Sequence, residues 1–204
     1  MEPLELERLY KKSLFLEYFT VGYNVVEATA SIIFGHVANS IALIGFGLDS
    51  VVESLSGVVL IWRLRKHGKI SAEKEEEVEK KAALFVAFTF FILSLYVLFQ
   101  SLKKFIGKDI PDPSLPGIII AAASLVVMPV LSWQKYRTGH QIRSAALIAD
   151  SRETLACFFL SVALFLGLGC NYLFGVWQAD PIVGLIIVIF LFREGKEVWQ
   201  EAKK

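Results

Sequence analysis

Six long apolar segments separated by short charged stretches constrain this chain more than any other feature. A helix needs about 20 residues to cross roughly 30 Å of hydrocarbon. Only helices or closed barrels satisfy every backbone polar group in lipid, and the continuous apolar runs lack the alternation of barrel strands. The sequence therefore predicts an all-α, polytopic membrane protein with six transmembrane helices, at about 14–34, 41–62, 82–102, 117–134, 145–168 and 178–195.

The stretches outside these segments are short. The fourth and sixth apolar cores, 117–131 and 181–192, reach spanning length only with their flanks. Residues 66–81 carry charges of both signs and are predicted to be a cytoplasmic loop or a short helical extension. An acidic N-terminus argues against a signal peptide, and about a dozen residues follow Phe192. We expect residues 1–204 to form a single transmembrane domain without a further globular domain.

The distribution of Lys and Arg predicts the orientation. With both termini in the cytoplasm, the inner segments hold seventeen of these residues and the outer loops hold three, Lys103, Lys104 and Lys108. The inner count includes Lys135, which lies just beyond the fourth segment. Cytoplasmic loops carry the excess of positive charge, so the sequence predicts cytoplasmic N- and C-termini. We expect the cell (inner) membrane if the source is bacterial.

Composition excludes several classes of protein. A net charge of +1 gives no reason to expect a nucleic-acid partner. Cys157 and Cys170 lie in or beside an apolar segment and imply no disulfide framework. The chain has no metalloprotease His-Glu-x-x-His helix, nucleophile elbow, P-loop or dinucleotide fingerprint, and none of its three His lies inside a span. We therefore predict that it is not an enzyme and carries no permanent cofactor.

The second span contains two acids, Asp49 and Glu53, one helical turn apart on the same face. A charged side chain at the centre of a span costs about 2.5–3.5 kcal/mol on insertion scales. Acids persist there when they face a cavity, a partner or an ion. A divalent cation or protons would relieve the repulsion between the two carboxylates. The alternative is a protonated pair that hydrogen-bonds between helices.

The fifth span carries a similar stripe, in which Asp150, Glu153, Thr154 and Cys157 share one face. Carboxylates and a thiolate are ligands for zinc, so Glu153 and Cys157 facing the acids of the second span would form a tetrahedral site. The alternative interpretation of Cys157 is a small buried residue that packs like an apolar one. The alternative for Asp150 is a solvated residue at the start of the helix. Whether Cys157 or Asp150 completes the site stays open.

Other polar side chains in the spans are assigned to the proton path or to an outer shell around the ion. Asn24 and Glu27 share a face of the first span, and Thr154 belongs to the stripe of the fifth. Arg152 points away from that stripe, where it either extends toward the cytoplasmic interface or pairs with an acid of another helix. Glu27 is the candidate partner for Arg152.

Three motifs then resemble the cation diffusion facilitator (cation efflux) family, over about residues 14–198. Ser40–Glu53 resembles the family's second span, Ser144–Asp150 the start of its fifth span, and Ala179–Leu185 the start of its sixth span. The resemblance places ligands at Asp49, Glu53, Glu153 and Cys157. It implies a homodimer in the lipid bilayer that exports metal from the cytoplasm, driven by inward proton flow.

The chain departs from the family pattern in three ways. Glu replaces Asp at position 53, the fifth-span pair is Glu153 and Cys157 where the family has His or Asp followed by Asp, and the family's cytosolic C-terminal domain does not follow. The closest form is therefore the compact one that lacks this domain. The pair of Glu153 and Cys157 leaves open which metal binds and with which coordination geometry.

The sequence-based hypothesis is a divalent cation transporter that exchanges metal for protons by alternating access. A site with Cys157 favours zinc, cadmium, cobalt or iron, whereas an oxygen-only site with Asp150 favours manganese or iron. Zinc is the first choice. The first alternative is a membrane partner that does not transport and instead modulates another transporter or receptor; the second is a proton- or sodium-coupled carrier of an organic solute.

Overall fold

A computed structural model describes residues 3–66, 72–108 and 110–202. This part of the chain is all-α and forms six helices, which confirms the predicted fold class: α1 (Pro3–Val37), α2 (Ile41–Lys66), α3 (Ala72–Gly107), α4 (Leu115–Ile142), α5 (Ala145–Phe174) and α6 (Ala179–Ala202). The side chains of Ser114 and Ser144 cap the N-termini of α4 and α5. Gly175 ends α5 in the left-handed conformation.

Polar and apolar side chains are distributed as in a membrane protein. Among the described residues, α2, α3, α4 and α5 are long and apolar enough to cross a bilayer. The helices α1 and α6 are also long enough, but each carries several charged residues. Large apolar side chains on the outside of the bundle, such as Phe99 and Ile189, are about two-thirds exposed, whereas Glu27 and Lys135 are buried. This arrangement suits a lipid environment.

The helices pack as three close pairs. The pairs are α1 with α2, α3 with α6, and α4 with α5, and α2 also contacts α3, α5 and α6. Glycines permit the close approach of some helices. A Cβ added at Gly47 would lie 2.9 Å from the Ser31 Cβ of α1, and one added at Gly195 would lie 2.9 Å from the Phe90 Cβ of α3. These glycines let α2 approach α1 two residues before Asp49, and let α6 approach α3 one residue after Glu194.

A buried aspartate joins α6 to the start of α2. One carboxylate oxygen of Asp180 accepts a hydrogen bond from the Ile41 backbone N–H at 2.9 Å, and the other accepts one from the Ser40 hydroxyl. Lys104 of α3 lies 4.0 Å from the same carboxylate and donates to the Asn39 carbonyl. The negative charge stabilises the first turn of α2, where backbone N–H groups have no intrahelical partner. The α2 and α6 helices therefore start at the same end of the bundle and run in parallel.

The charged stretch predicted as a loop at 66–81 is helical in its second part. Helix α3 begins at Ala72, which corresponds to the helical extension that the composition allowed. Residues 67–71 of the predicted loop lie outside the described residues.

We expect Asp180→Ala to reduce the stability of the fold by about 2 kcal/mol, because a buried charge-assisted hydrogen-bond acceptor is lost from the start of α2. Thermal unfolding in detergent, followed by circular dichroism, measures this loss as a lower midpoint. The control is Glu7→Gln, which removes an exposed ion pair with Lys11 and should change stability by less than about 1 kcal/mol. Equal midpoints for Asp180→Ala and the control would refute the role of Asp180.

Candidate metal centre

A small cavity lies between α2, α5 and α6, and we call it the inner cavity. Its volume is about 10 Å³, which is close to the space that one water-sized particle occupies. Its polar lining consists of Asp49 and Glu53 from α2, Glu153 and Cys157 from α5, and Glu194 from α6. Phe90, Leu160 and Phe190 are among its apolar lining residues. Four of the five sequence-predicted metal ligands therefore line one cavity.

The two carboxylates of α2 are buried side chains that differ in their hydrogen bonding. Glu53 is 5% exposed, and its Oε1 accepts a hydrogen bond of 2.9 Å from the Thr154 hydroxyl. Its Oε2 is buried and has no hydrogen-bond partner among the described residues. The Asn24 amide lies against this carboxylate without reaching hydrogen-bond geometry. Asp49, 8% exposed, interacts electrostatically with Glu53.

The α5 side of the cavity supplies a thiol and a third carboxylate. Cys157 is 1% exposed and lies against both Asp49 and Glu53. Glu153 lies one turn before it on the same face and is half-buried. The local sequence produces this arrangement because residues three and four apart share a helix face. The sulfur and oxygen donors therefore come from two different helices.

These side chains surround the cavity without forming a coordination shell. Within 3–66, 72–108 and 110–202, no three His, Cys, Asp or Glu side chains are grouped so that they could hold one metal ion together. Like charges repel across so small a space, which favours carboxylates turned apart. The assignment of Asp49, Glu53, Glu153 and Cys157 as metal ligands stays a prediction.

The structure places Asp150 in an ion pair outside the inner cavity, and its role as a metal ligand stays a prediction. Its Oδ2 lies 2.5 Å from the Nζ of Lys135, and the Oε2 of Glu17 lies 3.3 Å from the same Nζ. Lys135 is fully buried in α4, although the sequence analysis counted it among the cytoplasmic charges. Asp150 does not line the inner cavity, and its carboxylate is paired with Lys135. We name Glu17, Lys135 and Asp150 the buried triad.

The buried triad is connected to the inner cavity through one hydroxyl group. Lys135 Nζ donates to the Thr154 hydroxyl at 3.3 Å, and that hydroxyl donates to Glu53. Thr154 therefore lies beside the candidate ligand Glu53, and its role as an outer-shell residue stays a prediction. A neighbour of this kind fixes the orientation of a ligand.

The structure also corrects the suggested pair between Glu27 and Arg152. The Glu27 carboxylate accepts hydrogen bonds from Ser50, at 2.8 Å, and from Ser124. Tyr23 shares a hydrogen bond of 3.0 Å with the same Ser124. Arg152 is exposed on another face of the bundle. Two hydroxyl groups, and not a guanidinium, therefore satisfy Glu27.

A larger cavity of about 330 Å³ lies between α5 and α6, and we call it the outer cavity. Its charged lining residues are Arg152, Glu153, Arg193, Glu194 and Glu197. It shares Glu153, Ala156, Phe190 and Glu194 with the inner cavity. The two cavities are therefore neighbours with a common wall.

Sequence reasoning missed three charged residues near the centre. Glu17 and Glu194 lie inside predicted spans, where an acidic side chain indicates a functional or paired site. Lys135 gave no such signal, because a lysine beyond a span end resembles an ordinary interfacial residue. Only the packing of α4 against α1 and α5 places its ammonium group in the interior.

Comparisons with known proteins match nearly the whole chain. The sequence profile described as "Cation efflux transmembrane domain" matches residues 18–203. Transmembrane protein 163 of Xenopus laevis is 21% identical over 198 residues, which cover 96% of this chain and 69% of the relative. The manganese efflux system protein MneS of Bacillus subtilis (strain 168) is 21% identical, over 87% of this chain and 62% of its own length. The cadmium, cobalt and zinc/H(+)-K(+) antiporter of the same organism is 24% identical, over 94% of this chain and 62% of its own length.

We expect Lys135→Met to destabilise the protein by about 3–5 kcal/mol, because it leaves Glu17 and Asp150 buried without their counter-charge. Adding Asp150→Asn to this variant should recover part of the loss. Thermal unfolding midpoints in detergent measure both effects.

The matched control is Lys103→Met, which removes an exposed lysine of α3. A stable Lys135→Met variant, or a double variant less stable than the single one, would contradict the ion pairing of the buried triad.

Proposed function

The chain belongs to the cation efflux family, and from this membership we propose that it transports a divalent metal cation across the membrane by way of the inner cavity. The members of this family are transporters and not enzymes, so the prediction that the chain is not an enzyme is confirmed. The family match and the apolar helices also agree with the prediction of an integral, multi-pass membrane protein.

One observation supports this proposal above the others: acids from three helices and a thiol line one cavity about the size of a single water molecule. Burying several carboxylates together in the membrane interior is costly unless a positive charge neutralises them. The described residues that line the inner cavity include no Lys or Arg. A divalent cation or protons would neutralise the carboxylates of the inner cavity.

We propose zinc as the preferred ion. Cys157 lines the inner cavity, whereas Asp150 is held by Lys135, so the donor set contains sulfur as well as oxygen. Mixed sulfur and oxygen donors suit zinc, cadmium and cobalt better than manganese. The name of one Bacillus relative includes these three metals, and the name of another includes manganese. The family therefore gives no single answer, and the thiol is the reason for choosing zinc.

The proposed mechanism is exchange of metal for protons by alternating access. Metal from the cytoplasm binds deprotonated Asp49 and Glu53, with Glu153 and Cys157 completing the shell. Movement of helices then exposes the site to the other side, where protons compete for the carboxylates and release the metal. The word "antiporter" and the H(+) in the name of one relative support this coupling. The homodimer implied by the family resemblance is part of the proposal.

We expect Asp49→Asn and Glu53→Gln each to reduce zinc transport at least about a hundredfold, because each removes a negative charge from the ion site while preserving side-chain size. Purified protein is reconstituted in liposomes that contain a zinc-sensitive dye and, in parallel, a pH-sensitive dye. Wild-type protein should move zinc and protons in opposite directions.

Asp112→Asn, an exposed change in the loop before α4, is the control and should transport at the wild-type rate. Wild-type rates for both cavity variants would refute the site. A wild-type protein that moves no divalent cation would instead favour the non-transporting membrane partner.

We expect Cys157→Ser to shift the preference from zinc toward manganese by about tenfold, because a hydroxyl replaces the only soft donor of the inner cavity. Competition between Zn²⁺ and Mn²⁺ in the same liposomes measures the ratio of the two rates. The control is Cys170→Ser, since that thiol is exposed at the far end of α5. An unchanged ratio would show that Cys157 is only a packing residue.

A further inference from the structure

Two acidic side chains, Glu153 and Glu194, belong to the walls of both cavities. The other residues common to the two cavities are apolar, Ala156 and Phe190. Glu153 comes from α5 and Glu194 from α6, so the wall that the two cavities share carries one acidic residue from each helix. An ion that moves from the outer to the inner cavity would cross this shared wall.

The depth of Glu194 in the bundle agrees with this position. Helices α2 and α6 start at the same end, where Asp180 contacts the Ile41 N–H. At a rise of about 1.5 Å per residue, Asp49 lies about 12 Å from the start of α2, and Glu194 lies about 22 Å from the start of α6. Glu194 is therefore closer than Asp49 to the opposite end, which the Lys and Arg distribution predicts to be cytoplasmic.

We propose that Glu194 is a metal-binding residue: together with Glu153 it forms a loading site that receives the divalent cation from the outer cavity and passes it to Asp49 and Glu53. The inference rests on the proposed function and extends it to a third helix. Glu194 interacts electrostatically with Asp49, which lines the inner cavity, and with Glu153 in the shared wall.

An independent observation indicates where the ion goes next. Oε2 of Glu53 is buried and has no hydrogen-bond partner among the described residues, and Glu53 lines the inner cavity that Glu194 also lines. An unsatisfied buried carboxylate oxygen is costly, so it is expected to have a cationic or proton-donating partner in some state of the protein. A cation that crosses the wall carrying Glu153 and Glu194 would enter the cavity that Glu53 lines.

Three other charged residues of the outer cavity, Arg152, Arg193 and Glu197, do not line the inner cavity. Arg193 Nε and Glu197 Oε1 form an ion pair at 2.8 Å, and both side chains are at least half exposed. Glu197 does not line the inner cavity, and Arg152 is exposed. Glu197 therefore offers a matched control: it is the same residue type, three positions further along α6, on the wall of the outer cavity alone.

The test compares Glu194→Gln with Glu197→Gln in the zinc-transport liposomes, with initial rates measured over a range of Zn²⁺ concentrations. We expect Glu194→Gln to raise the half-saturating Zn²⁺ concentration about tenfold while the maximal rate changes less than about twofold, because capture is impaired and the inner site is intact. Glu197→Gln should leave both quantities within about twofold of wild type. Unfolding midpoints measured without metal show whether either variant is damaged.

The outcomes separate this inference from the proposed function. If Glu194→Gln saturates like wild type while Glu53→Gln has lost transport, the loading site is refuted and the transport function stands. If the wild type moves no divalent cation, the proposed function fails, and calorimetric binding of Zn²⁺ then decides the role of Glu194. Zn²⁺ binding that is tenfold weaker in Glu194→Gln than in the wild type supports the loading site, and equal binding refutes it.

If Glu194→Gln does not fold, Glu194→Asp replaces it in the transport assay. We expect Glu194→Asp to raise the half-saturating Zn²⁺ concentration by less than Glu194→Gln would, and a wild-type value would refute the loading site.

Discussion

The cost of holding ionised side chains in the interior of a membrane-spanning helix bundle governs this structure. Lipid supplies neither hydrogen bonds nor counter-charges, so each buried charge needs a partner within the protein or a mobile ion. The bundle meets this need in different ways at different depths. Lys135 neutralises Glu17 and Asp150, and two serine hydroxyls satisfy Glu27. The inner cavity is different, because the described residues that line it bring acids together without a Lys or Arg.

The helix framework holds that acidic cluster in place. Helix α2 packs against α1, α3, α5 and α6 and carries Asp49 and Glu53, so the cavity forms where α2 meets α5 and α6. Asp180 fixes the start of α2 beside the start of α6, and Gly47 lets α2 approach α1 closely. Thr154 connects the buried triad to Glu53 by hydrogen bonds. The position of Glu53 therefore depends on contacts from α4 and α5 as well as on its own helix.

The inner cavity is lined by acids from α6 as well as from α2 and α5. Glu194 adds a carboxylate from a third helix, and the outer cavity lies between α5 and α6. Helix α6 packs closely against α3, with Gly195 at the contact and Phe90 as its neighbour. A movement of the α3–α6 pair relative to α2 and α5 would therefore alter the inner cavity together with the wall that it shares with the outer cavity. Elements that pack as rigid pairs suit an alternating-access mechanism.

The sequence by itself determined the all-α class, the number of long helices and the stripe of candidate ligands on α2 and α5. These features depend on hydrophobic length and on the 3.6-residue helical period, which are local properties of the chain. They suffice to predict that Asp49, Glu53, Glu153 and Cys157 lie together, and these four residues line the inner cavity. The family resemblance, now supported by the profile match over residues 18–203, depends on the same local motifs.

Only the tertiary structure decided which charges meet. Asp150 shares the helical stripe of Glu153, yet packing of α4 directs it to Lys135, a residue that looks like an interfacial lysine in the sequence. Glu27 meets Ser50 and Ser124 and not Arg152, and Glu194 reaches the cavity from a helix that ends the described chain. Periodicity fixes the face of a helix on which a side chain lies, but not the neighbour that this face meets. That choice depends on how all six helices pack, because burying each charge beside an opposite charge or a hydroxyl is a property of the whole bundle.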